Sequence, residues 1–258
     1  MPLFLTALPL WASGLLLVAL PTVVAMTGTI LVRRWLGHDY LLNNNEIAGF
    51  KFATVGVIYA VLLAFAVIVV WEKFSDAETA VVEEAGAAAT VYRLIAGPEP
   101  ERAAARAALG DYLKLAINRD WPAMAVGRES REATAALSDL YAAVLRIPVD
   151  GPKQQEISAE VLKELDKITE ARRTRLHLAT GIVPGVIWLV LFCGAALTVG
   201  FTLFFGSKNL AAQVAMTGIL SVLVFGGLLA IISIDRPFTG TTSVGSEPLQ
   251  TVIEDFAG

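Results

Sequence analysis

The chain has 258 residues, 55% of them hydrophobic and only 17% charged, with a mean hydropathy of +0.63 and a formal charge of -4. That balance excludes an ordinary soluble domain. No basic run has the footprint of a nucleic-acid binder, and the single cysteine, Cys193, excludes a disulfide within the chain.

Residues 2–32 carry no charge and include Pro9 and Pro21. The run is too long for one straight span, so the first membrane helix is placed at about residues 10–32, with Pro21 as a kink. There is no basic region ahead of it and the apolar stretch outlasts a signal-peptide core, so it is read as a retained anchor. A short polar loop follows, containing His38, Asn43, Asn44, Asn45 and Glu46. Residues 52–71 are again uncharged, a twenty-residue run that matches the roughly 30 Å of a bilayer core at about 1.5 Å per residue. Nothing breaks the pattern at Trp71. A helix continued to Ala96 would be on the order of 75 Å long.

Residues 72–181 hold fifteen of the twenty Lys/Arg and eighteen of the twenty-four Asp/Glu, so the water-soluble chemistry lies in one insert. It reads as all helix. Gly97-Pro98-Glu99-Pro100 ends the stalk, residues 101–120 form a helix that Trp121-Pro122 breaks, and residues 129–146 form the next. After the turn at residues 147–152, Ile157, Val161, Leu165, Ile168 and Leu176 give an amphipathic helix heading back to the membrane. The insert's apolar content is mostly alanine, which supplies little area per residue and points to oligomerisation. Two further charge-free runs, residues 178–207 and 209–234, each hold a span. In the tail, Ser246 and Pro248 suit a helix start, and Leu249, Val252, Ile253 and Phe256 share one face.

The expectation is an all-α polytopic membrane protein. Residues 1–71 form transmembrane hairpin 1 (spans about 10–32 and 52–71), 72–181 a helical extramembrane insert, 182–234 transmembrane hairpin 2, and 235–258 a C-terminal turn and docking helix. Near the span ends, Arg33, Arg34, Lys51 and Lys208 on one side face Lys73, Lys163, Lys167, Arg172, Arg173, Arg175 and Arg236 on the other. The excess of basic residues puts the insert and both termini in the cytoplasm.

No ionisable residue falls in mid-span. The polar groups at the ends of the second span, Asn44, Asn45, Glu46, Lys51 and Glu72, are candidates for a pore mouth, against the plainer reading of helix capping and solvated helix ends. Glu46 and Glu72 would favour cations and Lys51 anions. Within the span, Thr54, Ile58, Val61, Phe65 and Ile68 share a face that leads to Glu72, a candidate apolar constriction. Gly56, Ala60 and Ala64 form a small-residue seam for helix packing. There is no phosphate-binding glycine loop and no His-Glu-x-x-His. The two histidines, His38 and His177, lie in different segments, so the chain is not read as an enzyme and no metal or cofactor is expected. His177, with Arg172, Arg173 and Arg175, is a candidate for contact with anionic lipid. Cys193 is read as a small core hydrophobe.

The segments Asn45-Glu46-Ile47-Ala48-Gly49-Phe50-Lys51-Phe52, residues 56–65 and Trp71-Glu72-Lys73-Phe74 resemble the signature of the bacterial bestrophin-like family. Asp235-Arg236-Pro237-Phe238-Thr239-Gly240 is similar to its C-terminal turn motif, and Glu84-Ala85, Tyr92-Arg93 and Asp120-Trp121-Pro122 come in the expected order. The resemblance covers most of the chain. It implies a multi-pass protein of the bacterial inner membrane, distantly similar to bestrophins proper, which are pentameric ion channels with four spans per subunit. On that analogy the chain forms a homo-oligomer, a pentamer, in the lipid bilayer and passes inorganic ions. The second span lines the pore, with Ile58, Val61, Leu62 and Phe65 as its neck. The acidic calcium cluster of animal bestrophins has no counterpart, since the tail offers only Glu247, Glu254 and Asp255. The same layout also fits a non-conducting scaffold or signalling protein that binds a soluble partner through the insert.

Overall fold

The computed structural model describes residues 9–43 and 45–257, the side chains of His38 and Ala257 aside. Among these residues every regular element is helical. In chain order they are α1, Leu10–Leu36; α2, His38–Asn43; α3, Asn45–Leu94; α4, Pro100–Leu115; α5, Arg131–Val144; α6, Pro152–Leu178; α7, Gly185–Phe201; α8, Leu210–Ile234; and α9, Glu247–Ala257. Four helices, α1, α3, α7 with its 3-10 extension to Phe204, and α8, are long and apolar enough to cross a membrane. This is the all-α, four-span architecture expected from the sequence.

The chain divides into two compact units. One comprises the residues up to Glu72 and Ile182–Asp235; the other comprises Lys73–Gly181 and the residues from Arg236 onward. In the first unit, α1, the apolar part of α3, α7 and α8 share a core that includes Ala25, Tyr59, Val70, Trp188, Leu191, Ala195, Val224 and Leu228. The Thr22 hydroxyl donates to Ser221 Oγ at 3.1 Å and ties α1 to α8. At Pro21, the expected kink site, the helix changes its hydrogen bonding. A π-helical turn, Leu15–Ala19, lies just ahead of it and the α-helix resumes at Leu20. Widening the turn to residue i+5 bonding accommodates a ring that has no N–H to give and would clash with the carbonyl four residues back.

The second unit contains the rest of α3 together with α4, α5, α6 and α9, around a core of Ala88, Val91, Ile95, Leu109, Leu113, Leu140, Leu165 and Ile168. Trp121-Pro122 does not break α4. A second π-helical turn, Ala116–Asp120, precedes the proline, and a last α-helical turn, Trp121–Met124, follows. Proline thus takes the same place, second in the resumed α segment, in both helices. α5 begins after Ser130, whose Oγ accepts from the Ala133 N–H at 3.3 Å as an N-cap. α6 starts at Pro152, five residues ahead of Ile157, the first residue of its apolar stripe. α9 covers this core with Leu249 and Val252, while the Phe256 ring stacks on Tyr92 at 3.7 Å and accepts the Tyr92 hydroxyl on its backbone carbonyl at 3.1 Å.

Candidate functional site

α3 meets its neighbours in the first unit along one edge, formed by Tyr59, Leu63, Ala66, Val67 and Val70. The Tyr59 hydroxyl donates to the Leu191 carbonyl at 3.2 Å. The small residues that permit this approach are on the partner helices. A Cβ at Gly194 of α7 would lie 2.6 Å from the Tyr59 ring, and one at Gly227 of α8 would lie 2.7 Å from Leu63 Cδ2. The described residues leave the seam Gly56, Ala60 and Ala64 largely uncovered: Ala60 and Ala64 are exposed, and nothing lies within 4 Å of a Cβ built on Gly56. The reason is geometric, since at 100° per residue Gly56, Ala60 and Ala64 drift round the helix away from the buried edge.

On the side opposite that edge lie Thr54, Ile58, Val61, Phe65, Ile68 and Glu72, all exposed. Phe65 is 63% and Ile58 58% exposed, which leaves this face open for a neighbour, lipid or a pore. Leu62 sits nearer α7, where with Ile58 it borders a shallow apolar groove shared with Val190, Cys193 and Leu197. Cys193 is therefore exposed on α7, not in the core as expected, because α7 turns it away from Trp188, Leu191 and Ala195, its packed residues. Only 11% of the apolar window of α3 is buried, the least of the four spans, so this helix leaves the most surface for contacts outside the chain.

Of the mouth candidates, Asn45 is a strut. Its amide donates to the Gly206 carbonyl at 2.7 Å and accepts the Gly206 N–H at 2.8 Å, tying the start of α3 to the loop between α7 and α8. Beside it Arg33 donates to the Ser207 carbonyl at 2.7 Å and to Gln213 Oε1 at 3.2 Å. Glu46, Lys51 and Glu72 are exposed. Asn44 and the side chain of His38 lie outside the described residues.

The C-terminal turn motif is a knot. In the first unit, buried Asp235 accepts the N–H groups of Ile182 and Val183 on Oδ1 at 3.2 and 2.9 Å, which fixes the entry to α7 against the exit of α8. In the second, the Pro237 carbonyl accepts the Val244 N–H at 2.6 Å and Phe238 packs edge-on against Trp121 at 6.0 Å. Trp121 Nε1 donates to the Val244 carbonyl at 3.1 Å, and Thr239 Oγ1 to the Ala125 carbonyl at 3.0 Å. Gly240 takes a φ of 87°, open to glycine at little cost.

The second unit also buries an ionic cluster. Arg175 clasps Glu84 with Nε at 2.7 Å and Nη2 at 3.0 Å, both side chains fully buried. Arg172 clasps Asp120 with Nε at 2.7 Å and Nη2 at 3.1 Å. Asp120 Oδ2 lies 3.7 Å from Arg175 Nη2 and joins the two pairs. The Tyr112 hydroxyl donates to Glu84 Oε1 at 2.5 Å, the Ser130 N–H to Asp120 Oδ1 at 3.0 Å, and Trp121 lies under the Arg175 guanidinium at 4.4 Å. Two carboxylates and two guanidiniums sum to zero and nearly every site on them is used, as a buried cluster requires. Burial, the largest single influence, would lower the Arg175 pKa, but the charge and hydrogen bonds of Glu84, with Tyr112 and Asp120, together outweigh it and the net direction is up. Burial, reinforced by Glu84, pushes the Tyr112 hydroxyl well above its ordinary value and keeps it a donor.

This cluster corrects the reading of Arg172 and Arg175 as lipid contacts. A signal was present. Val161, Leu165, Ile168, Arg172 and Arg175 follow one another at spacings of three and four, so the buried stripe of α6 passes from aliphatic residues into arginines, and Arg175, not Leu176, continues it. Among the described residues no group of three or more His, Cys, Asp or Glu side chains is placed to hold a metal ion.

Four apolar spans and a helical unit with a charge-paired core define a polytopic helical membrane protein. The chain belongs to the bestrophin-like family, whose domain model matches residues 19–249. Its fold is similar to crystal structures of a bacterial bestrophin homologue from Klebsiella pneumoniae. A leucine-to-threonine mutant of that protein superposes with a TM-score of 0.72 at 14% identity over 92% of this chain and 97% of that one. An isoleucine-to-threonine mutant gives 0.69 at 15% identity over 92% and 98%. A mutant described as a membrane protein gives 0.69 at 14% over 91% and 95%. None of the curated proteins matches the chain by sequence.

Proposed function

We propose that the protein is a homo-oligomeric ion channel of the bacterial inner membrane, with α3 lining the pore and the insert on the cytoplasmic side. The observation that carries this reading is the uncovered face of α3. Thr54, Ile58, Val61, Phe65 and Ile68 lie opposite the helix's packed edge and are all exposed, and the helix runs unbroken for 50 residues. Rotated about a symmetry axis, this face becomes an apolar constriction that gates by dewetting, with Glu72 at one mouth and Glu46 and Lys51 at the other. Gly56, Ala60 and Ala64 then serve close approach between subunits. The family's likeness to pentameric bestrophins supports five copies.

Ion flux tests the reading. Purified protein reconstituted at high density should pass chloride, sodium or potassium, and Phe65→Ala should raise the flux by widening the neck. Silence of both proteins towards all three ions, or particle images down the membrane normal that lack an axial pore, would refute it.

A further inference from the structure

Arg236 lies outside the ionic cluster. It follows the last residue of α8, Ile234, by two positions, so it adjoins the end of a helix long and apolar enough to cross a membrane. Its Nε is buried and has no hydrogen-bond partner among the described residues. The guanidinium is laid against two turns. A Cβ at Gly181 would lie 3.5 to 3.6 Å from Nε, Cζ and Nη2 alike, so the flat face of the group covers that glycine, and a Cβ at Gly127 would lie 3.5 Å from Nη1. Both glycines have positive φ, 97° and 68°, which side chains rarely adopt. Two turns closed by glycine thus hold a guanidinium in place while its donors remain unclaimed.

A buried charged donor without an acceptor is costly, and the planar fork of arginine matches two oxygens of a phosphate. Alongside are Arg128, exposed and adjacent in the chain to Gly127, and Val126, 53% exposed, an apolar residue suited to the acyl boundary. We propose that Arg236, fixed by the Gly127 and Gly181 turns, binds a phosphate group, supplied at the membrane surface by the headgroup of an anionic phospholipid. This differs from general attraction to basic residues: Arg173 is fully available on the surface of the same unit, yet no comparable cradle holds it.

Native mass spectrometry of the delipidated full-length protein tests the site, with phosphatidylglycerol, phosphatidylcholine and inorganic phosphate titrated separately. Phosphatidylglycerol should bind at least about tenfold more tightly than phosphatidylcholine, and Arg236→Ala should weaken it by about 10- to 100-fold, the worth of one charge-assisted hydrogen bond. Arg236→Lys keeps the charge but loses the fork, so it should still weaken binding by about tenfold. It serves as the test if the alanine variant does not fold. Arg146→Ala, an exposed arginine elsewhere on the same unit, should leave binding unchanged. Equal binding of the two lipids by the wild type, or an equal loss on Arg146→Ala, overturns the proposal. Saturation by inorganic phosphate with no preference for phosphatidylglycerol overturns the lipid assignment.

Discussion

Replacing Glu84 by glutamine keeps the shape of the ionic cluster and removes one of its four charges. Arg175 then keeps Asp120, at 3.7 Å and already clasped by Arg172, as its one counter-charge in the cluster, while Tyr112 loses the charged acceptor at 2.5 Å. Removing one partner of a fully buried pair costs about 3–5 kcal/mol, because the other charge stays buried without compensation. For a chain of this length that is a fall in melting temperature of roughly 6–20 °C. Thermal unfolding of the full-length protein in detergent, followed by tryptophan fluorescence, measures it, and Trp121 under Arg175 is a local reporter. The decisive comparison is the double variant. Arg175→Met alone strands Glu84, whereas Glu84→Gln with Arg175→Met leaves the Asp120–Arg172 pair balanced, so the two losses should overlap by at least about 2 kcal/mol. Strictly additive losses, or a loss under about 1 kcal/mol for Glu84→Gln, would refute the account of the cluster as an interdependent unit.

Alkaline pH should act through Tyr112. Its pKa is raised in the folded state, chiefly by burial, so its stabilising contribution is complete below the ordinary value of 10.0 and is lost as pH rises from there; Tyr112→Phe should remove that part of the alkaline decline in melting temperature. Gly194→Ala should destabilise by about 1–3 kcal/mol because the added methyl meets the Tyr59 ring, and Tyr59→Ala in the same chain should recover part of the loss; equal melting temperatures for Gly194→Ala and wild type would contradict the close approach.

The membrane spans were legible because twenty uncharged residues in a row leave little choice of environment, and α9 because its apolar residues repeat with helical spacing. Packing partners were less so. A seam of small residues can face a neighbour or nothing, and residue type alone singles out Gly56, Ala60 and Ala64, whereas Gly194 and Gly227 accommodate the large side chains that α3 brings. Asn45 looked like part of a polar rim because its two bonds to Gly206 join positions far apart in the chain. From sequence Pro21 reads as a kink and Trp121-Pro122 as a break, since a π-helical turn leaves no mark in residue periodicity. Glu84, Tyr92, Asp120 and Trp121 carry the family resemblance, and three of them belong to the buried cluster while Tyr92 receives Phe256. Charges at core positions on three different helices were readable, but their pairing required the tertiary fold.

The π-helical turn in α4 has a consequence for how that helix tolerates change. Ahead of it the buried face runs through Ala105, Leu109 and Tyr112; the turn itself buries Ala116 and Asp120 and the face continues to Met124, and both Asp120 and Met124 reach Arg175. A π-helical turn holds one residue more than the α-helical turn it replaces, so the loss of a single residue inside it, such as Asn118, is absorbed by return to regular α-helix, with Asp120 still toward Arg172 and Met124 toward Arg175. The loss of a residue from the regular helix ahead of it, such as Ala108, rotates everything after it by about 100° and takes both side chains off Arg172 and Arg175. Between Ala116 and Asp120, then, the quantity under constraint is the register of the two flanks more than the number of residues between them.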